Sequence, residues 1–562
     1  MSSTPEHFDA VVVGSGFGGS VTAFRLAEGG LRVCLLERGK AYPPGSFART
    51  PYDMARNFWD PSDGKHGMFD LWTFKGLEAL VSSGLGGGSL IYANVLIRKD
   101  PEWFVNEAGE DWPVTRDDLD PHYDRVEPML APQRYPFDVE PYSQTPKTQA
   151  MRYASEQLGL DWSLPNLAVT FGNPGQTPRP GDPIADGENL HGLPRYTCRL
   201  CGECDIGCNF GSKNTLDYNY LSAFKRLGGE IRTRSEVRTF APRDGGGFVI
   251  RYVTHAPERE GEPTDTSALP QQTLTSARLV LSAGAFGTPY LLLRNADAFP
   301  GLSRAALGTR FCGNGDKLAF LTKGVRTDRG RRVGHPFEPS IGPVITSRIR
   351  YPDALDGSGG RGRGFYIEDG GYPHFASWLL EMTEVRTRPV RAVKFLYRRV
   401  KNKLLDEPVS NISGELSELL GNCVKSSGAL PLLGMGRDTP DGVMSLRDRY
   451  LEVDWTTKTS RPYFDSVKGA MEDLARALGA RFTDSPLWYF RRVITVHPLG
   501  GAPMGRTPET GFVDPYGQVF GVPGLSVADG SVMPGPVGPN PSLTIAALAD
   551  RFSDRILELH RR

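Results

Sequence analysis

The sequence predicts an α/β protein, α+β overall, in which a parallel strand-and-helix domain assembled from separated stretches of chain is interleaved with a second domain built on a larger mixed or antiparallel sheet covered by helices. Three observations predict it. A strand, a glycine-rich turn, a helix and a second strand follow one another from residue 8 to residue 37. The strand, turn and helix pattern returns between residues 525 and 560. Between them, residues 319–490 have another texture, strand-like runs mixed with a long basic stretch.

The first element is the β-rich run Phe-Asp-Ala-Val-Val-Val at residues 8–13, which ends in Gly14-Ser15-Gly16-Phe17-Gly18-Gly19. Residues from there to Ala27 repeat at helical spacing, and residues 31–36 form a second buried strand ending in Glu37. This is the βαβ unit of a Rossmann-like domain. In Gly14-x-Gly16-x-x-Gly19 the glycines permit the tight turn, the approach of a pyrophosphate to the backbone and close helix-to-strand packing, with the phosphates at the helix N-terminus. Glu37 lies where a carboxylate accepts from a ribose 2'-hydroxyl, and it disfavours a 2'-phosphate. The motif alone does not distinguish FAD from NAD.

A loop rich in proline, aspartate and aromatics leads to Gly84-Leu85-Gly86-Gly87-Gly88-Ser89, which predicts a second close backbone approach ahead of the apolar residues 90–97. Residues 132–194, rich in Pro, Gly and Asn with weak periodicity, predict irregular connections. Residues 278–284 are another buried strand, leading through Gly287-Thr288-Pro289 into a helix. Residues 525–530 and 542–560 complete the nucleotide domain, which is discontinuous: 1–48, 80–125, 196–318 and 491–562, with 126–195 as an irregular connection and 319–490 as the substrate-binding domain.

Composition bounds the function. The chain has 562 residues with 65 Lys+Arg against 65 Asp+Glu, so no global basic field exists to hold nucleic acid or an anionic membrane. With 39% hydrophobic residues it is too apolar for disorder, and no apolar run approaches the roughly 18 residues of a membrane span. The first seven residues carry no signal-peptide pattern, which makes a cytoplasmic location the expectation. Seven cysteines are too few for a disulfide scaffold, and Cys198, Cys201, Cys204 and Cys208 crowd together, which suggests a metal.

Gly14 to Gly19, Glu37-Arg38-Gly39, Gly86-Gly87-Gly88-Ser89, Gly284-Ala285-Phe286-Gly287-Thr288-Pro289, His497-Pro498-Leu499-Gly500-Gly501, and Asp529-Gly530 with Asn540-Pro541 resemble, in order, the landmarks of the glucose-methanol-choline (GMC) oxidoreductases, and most resemble their cholesterol-oxidase-like branch. The resemblance spans nearly the whole chain. It implies a bound FAD, an FAD-binding domain interleaved with the substrate domain, and oxidation of an alcohol. It also implies cofactor contacts at Ser15, Phe17, Gly18, Arg38, Asn94, Val237, Gly284, Asp529, Gly530 and Asn540. Where many relatives have Asn three residues after Gly-Gly-Ser, this chain has Tyr92, with Asn94 two residues later.

His497 follows the apolar run Val493-Ile494-Thr495-Val496, at a strand end. Paired with Asn540, it resembles the family's His/Asn pair that holds the substrate oxygen near the flavin. The physical need is for a group that takes the hydroxyl proton and a donor that steadies charge developing on oxygen. Glu368, in Gly364-Phe365-Tyr366-Ile367-Glu368-Asp369-Gly370, falls where relatives carry a carboxylate that serves as base and proton shuttle; its bland alternative is a surface Glu-Asp-Gly turn.

Cys198-x2-Cys201-x2-Cys204-x3-Cys208 has the spacing of the bacterial ferredoxin run, which points to an iron-sulfur cluster, 3Fe-4S or 4Fe-4S, with Cys208 followed by Asn209 instead of Pro. Zinc and free thiols are the alternatives. Some actinobacterial GMC relatives carry such a run before a Lys-Asn-Thr-Leu segment, as Lys213-Asn214-Thr215-Leu216 does here. Residues 389–405 predict a basic amphipathic helix, either a solvated face over core or a membrane-surface or lid helix for an apolar alcohol.

The resemblance, taken with the cysteine run, implies an FAD-dependent enzyme oxidising the CH-OH group of a sterol-like or other apolar alcohol, its electrons passing through the cluster to an acceptor protein or a quinone. One alternative is an oxygen-using oxidase without a functional cluster. Another, of a different class, is a non-catalytic flavin- and lipid-binding protein.

Overall fold

The computed structural model describes residues 5–561 except 108–109, 186, 329, 335–336, 358–359, 361, 373–428, 486–487 and 489–491. The basic helix expected at 389–405 lies outside the described residues. Among those described, no helix is long and apolar enough to cross a membrane.

A seven-stranded sheet organises the nucleotide domain. Its parallel part runs Glu230–Arg232, Val33–Leu36, Glu6–Val13 and Gln271–Leu281, with Leu525–Val527 also pairing in parallel with Gln271–Leu281. The central strands are near-continuous apolar runs because both faces are covered: Val11, Val12, Cys34, Leu35, Leu279 and Leu281 are all buried. The hairpin Ser235–Pro242 and Phe248–Thr254 adds antiparallel strands at one edge, where inward and outward residues alternate. Strands from distant stretches of chain meet in this sheet: Leu525 sits beside Leu279, and Val11 beside Leu279 from the other side.

Helix Phe17–Glu28 packs against Ser542–Arg561, which also packs against Arg116–Leu130. A buried ion network ties the three together: Asp550 takes Arg25 Nε at 3.0 Å, Arg125 Nε at 2.8 Å and His122 Nδ1 at 2.7 Å, and Asp554 takes both arginines again. His122, Asp550 and Asp554 have the spacing of metal ligands, but two guanidinium groups already neutralise them.

The second domain is a six-stranded sheet, antiparallel at every pairing, in the order Asp161–Ser163, Arg348–Tyr351, Phe365–Asp369, Leu430–Gly436, Lys317–Thr322 and Arg481–Asp484. Helix Arg461–Ala477 covers it with Phe464, Val467, Met471 and Leu474. The stretch expected to be irregular differs from that expectation. It carries helix Pro146–Leu158, opened by a proline at its first turn and closed by Gly159 in the left-handed region, and then the edge strand Asp161–Ser163. Its helical period was weak because the buried side is made of Lys147, Thr148, Ala150, Met151, Ala154 and Ser155, half of them polar.

Candidate active site

The strand Glu6–Val13 delivers Gly14 at φ +98°, where a Cβ would stand 2.2 Å from the carbonyl oxygen of Ser282; at Gly19 it would stand 1.9 Å from that of Gly14. Only glycine fits at either position. Gly16, by contrast, has nothing within 4 Å of an added Cβ, and it caps helix Phe17–Glu28 with no side-chain hydrogen bond and no acid in the first turn. The first-turn residues Phe17, Gly18 and Gly19 are buried, so their N–H groups form an uncapped, inward-facing anion site.

The second glycine turn lies directly against the first. A Cβ on Gly87 would be 2.6 Å from Gly16 Cα, and Ser15 Oγ accepts from Gly86 N at 3.0 Å. Glu37, at the end of the second strand, accepts from Ser15 N (3.0 Å) and Oγ (2.6 Å) through one oxygen and from Gly39 N (2.8 Å) through the other. Arg38 pairs with Asp70 and lies over the Trp59 ring. Ser89 Oγ donates to Gly86 O and accepts from Leu216 N, which fixes the turn, while Gly88 faces open space. Val237 is buried at the irregularity in its strand. Asp529 is a clasp: one oxygen accepts from Ser531 N and Oγ, the other from Gly284 N and Thr288 Oγ1. Gly530 O accepts from Gly500 N, joining this clasp to the loop after His497.

Asn94 is fully buried at φ +71° with neither amide atom partnered, and the buried Tyr92 hydroxyl near it is also unpartnered. Orphaned buried polar atoms are costly. The uncapped helix, the open faces at Gly16 and Gly88, and the unmet Asn94 amide fit a dinucleotide lying across both glycine turns.

His497, Glu368 and Asn540 converge from three distant stretches. The strand Val493–Thr495 ends on buried Asp316, whose Oδ2 accepts from Thr495 Oγ1 (2.9 Å), Val496 N (2.8 Å) and His497 N (3.1 Å), while Oδ1 meets His497 Nδ1 at 2.8 Å. A carboxylate only accepts, so Nδ1 carries the proton and Nε2 is left as an acceptor. Burial pushes the His497 pKa down, but Asp316 outweighs it and Glu368 adds to Asp316, so the net displacement is upward. Glu368 is fully buried on the strand Phe365–Asp369. Burial pushes its pKa up to about 8 against smaller opposing contributions from the Asn540 hydrogen bond and from His497. Asn540 Nδ2 donates to Glu368 Oε2 at 3.3 Å, and Glu368 Oε1 and Asn540 Oδ1 have no partner. Two unmet acceptors beside a histidine acceptor form a polar spot in an otherwise closed core.

Sequence reading missed Asp316. The signal available was Gly313-Asn314-Gly315-Asp316 itself, a glycine-punctuated turn carrying an amide and an acid.

The cysteine run folds as a series of tight turns, with Leu200, Gly202 and Gly207 all at positive φ. Leu200 N donates to Cys198 Sγ at 3.5 Å, and Gly202 N and Leu200 O bond the backbone of Gly342. Cys198 is buried and the other three are half-buried; burial pushes the thiols of Cys198, Cys201 and Cys204 up. No three of their sulfurs lie within 4.8 Å of one another. Buried Lys213 joins the run to the second glycine turn: its Nζ donates to Cys204 O (2.8 Å), Tyr92 O (2.9 Å) and Leu90 O (3.0 Å).

A Rossmann-like cradle with a buried His/Asn/Glu cluster, on a nucleotide domain interleaved with an antiparallel sheet, defines a flavin-dependent oxidoreductase. Residues 469–549 match the family model of the GMC oxidoreductases, and residues 12–50 match that of the NAD(P)-binding Rossmann-like domain. The cholesterol oxidase of Mycobacterium tuberculosis (strain ATCC 25618 / H37Rv) is 30% identical over 97% of this chain and 90% of its own length. That of Acinetobacter baumannii is 28% identical over 98% and 95%. Among solved structures, pyridoxine 4-oxidase from Mesorbium loti shares the fold at a TM-score of 0.57 and 17% identity, covering 99% of both chains. The chain belongs to the GMC oxidoreductase family, and its similarity is to the cholesterol-oxidase-like members. As such it is an FAD-dependent enzyme of alcohol oxidation.

Proposed function

We propose that this enzyme oxidises a sterol-like or other apolar alcohol and passes the electrons through an iron-sulfur cluster to an external acceptor. The observation that carries the first half is the meeting of His497, Asn540 and Glu368. When bound, FAD supplies the hydride acceptor. The chain supplies the rest. Nε2 of His497, bare because Asp316 holds Nδ1, takes the hydroxyl proton, and the Asn540 amide orients the oxygen. Glu368, neutral below about pH 8, is buried beside Asn540 and His497 without carrying an unpaired charge and relays protons. Likeness to cholesterol oxidases favours an apolar alcohol.

Three features support the cluster. The spacing is ferredoxin-like. The positive-φ residues Leu200, Gly202 and Gly207 let the chain curl tightly between successive cysteines. Buried Lys213 sets a cation beside the run, which draws the Cys204 thiol toward its anionic form. Cys198, Cys201 and Cys204, with or without Cys208, would hold it, and Lys213 sets it beside the Leu90–Tyr92 backbone. The acceptor would be a redox protein or a quinone.

Anaerobic titration of the purified yellow protein tests the first half: sterols or long-chain alcohols bleach the flavin and sugars do not, whereas no bleaching by any alcohol leaves the non-catalytic alternative. For the second half, anaerobically reconstituted protein contains iron and labile sulfide with a low-temperature paramagnetic signal in one redox state. Zinc without iron, and no such signal, overturns it.

A further inference from the structure

We infer that the turn Gly313-Asn314-Gly315-Asp316 is a single positioning device that sets both His497 and Asn540. Asp316 holds one and fixes its tautomer; Asn314 clamps the backbone that presents the other. This rests on the reading that His497 and Asn540 handle the substrate hydroxyl.

Asn314 is fully buried at φ +52°. Its Oδ1 accepts from Gly538 N at 2.9 Å, and its Nδ2 donates to Gly538 O at 3.3 Å and Pro539 O at 3.1 Å. Both edges of one amide thus read the backbone immediately before Asn540. Two residues on, Asp316 makes the four bonds to Thr495, Val496 and His497 described above. The separation of His497 from Asn540 is therefore set through the two peptide links that join Asn314 to Asp316.

The turn is itself held on all sides. Asn314 O accepts from Gly436 N (2.9 Å), Gly313 N donates to Asp438 Oδ2 (3.1 Å) and Gly315 O accepts from Tyr463 Oη (2.9 Å). Gly315, at φ +68°, has no room for a Cβ, which would stand 2.2 Å from Tyr463 Oη. Two consecutive left-handed residues this constrained are found where the surrounding structure over-determines them. The titratable groups acting on His497 are Asp316 on the turn and Glu368 on the strand Phe365–Asp369, with Asp438 behind Asp316 and Arg348 beside Glu368.

The test uses holoenzyme labelled with ¹⁵N-histidine, the His497 signals being identified by their loss in His497→Gln. Wild type should show His497 with the proton on Nδ1; a wild type with the proton on Nε2 overturns the proposal without any variant. Asp316→Asn, which can donate to Nδ1, should move the proton to Nε2 and slow anaerobic flavin reduction at saturating cholesterol by about 10² to 10⁴-fold with FAD still bound. Asp316→Glu should restore the Nδ1 proton and part of the rate. Asn314→Asp keeps the bond from Gly538 N but sets a carboxylate against two carbonyls; it should lower the reduction rate at saturation at least tenfold while leaving the His497 tautomer unchanged. An unchanged tautomer in Asp316→Asn, or wild-type reduction rates in both variants, overturns the inference. If cholesterol and 1-dodecanol both fail to bleach wild type while His497 is protonated on Nδ1, the alcohol reading fails and the positioning role of Asp316 stands.

Discussion

At the scale of the residue, the acid-base character of this site comes from one acceptor and one burial. Asp316 holds the His497 pKa above its ordinary value, and burial carries that of Glu368 to about 8. A base must be free of its proton to act, so flavin reduction should rise with pH, the first limb lying above pH 6.5, with a second inflection near pH 8 as Glu368 ionises. In Glu368→Gln the inflection near pH 8 disappears and the lower limb, set by His497 and Asp316, remains. Stopped-flow reduction across pH 5.5–9.5 checks this, and an unchanged profile removes Glu368 from the proton path. Glu37 makes a separate prediction. Its carboxylate accepts from Ser15 and Gly39 with little exposure, so Glu37→Arg places a buried cation against backbone N–H donors and should weaken FAD binding by at least tenfold, measured by flavin fluorescence on dilution.

At the scale of the element, legibility followed sequence distance. The first glycine turn was readable because its steric demands are local: Gly14 and Gly19 each solve a problem posed by backbone packed at the same crossing. Glu37 was readable because a strand end fixes where its side chain must be. Asp316 was not, since its partner is 181 residues away and nothing in the local pattern names it. Helix Pro146–Leu158 escaped because buried Lys147, bonded to the carbonyls of Pro343 and Val344, reads as a surface residue in a hydropathy pattern. The cysteine turns and helix Ser542–Arg561 carry the predictions here. Cys201→Ala should abolish iron and labile sulfide, spare FAD, and slow reduction of an artificial acceptor more than reduction of the flavin by alcohol. Asp550→Ala removes the central acceptor of the helix junction and leaves Arg25 and Arg125 to share Asp554 across it, at a cost of about 1–3 kcal/mol. Its thermal midpoint should fall by several degrees, and a change too small to measure would mean that water replaces the carboxylate.

At the scale of the whole molecule, two sheets of different build meet at one buried polar spot, to which the antiparallel sheet contributes Glu368 and the nucleotide domain contributes His497 and Asn540. The cysteine run is bonded to Gly342 on one side and, through Lys213, to Leu90 and Tyr92 on the other. The closing strand Leu525–Val527 has a consequence for how the protein is made. A Cβ on Gly18 would stand 1.5 Å from the carbonyl oxygen of Ala528, so helix Phe17–Glu28 is seated on residues translated long after it. At about 5–20 residues per second, roughly half a minute to two minutes pass between emergence of the first glycine turn and arrival of its last wall. Through that interval the nascent chain carries half a cradle.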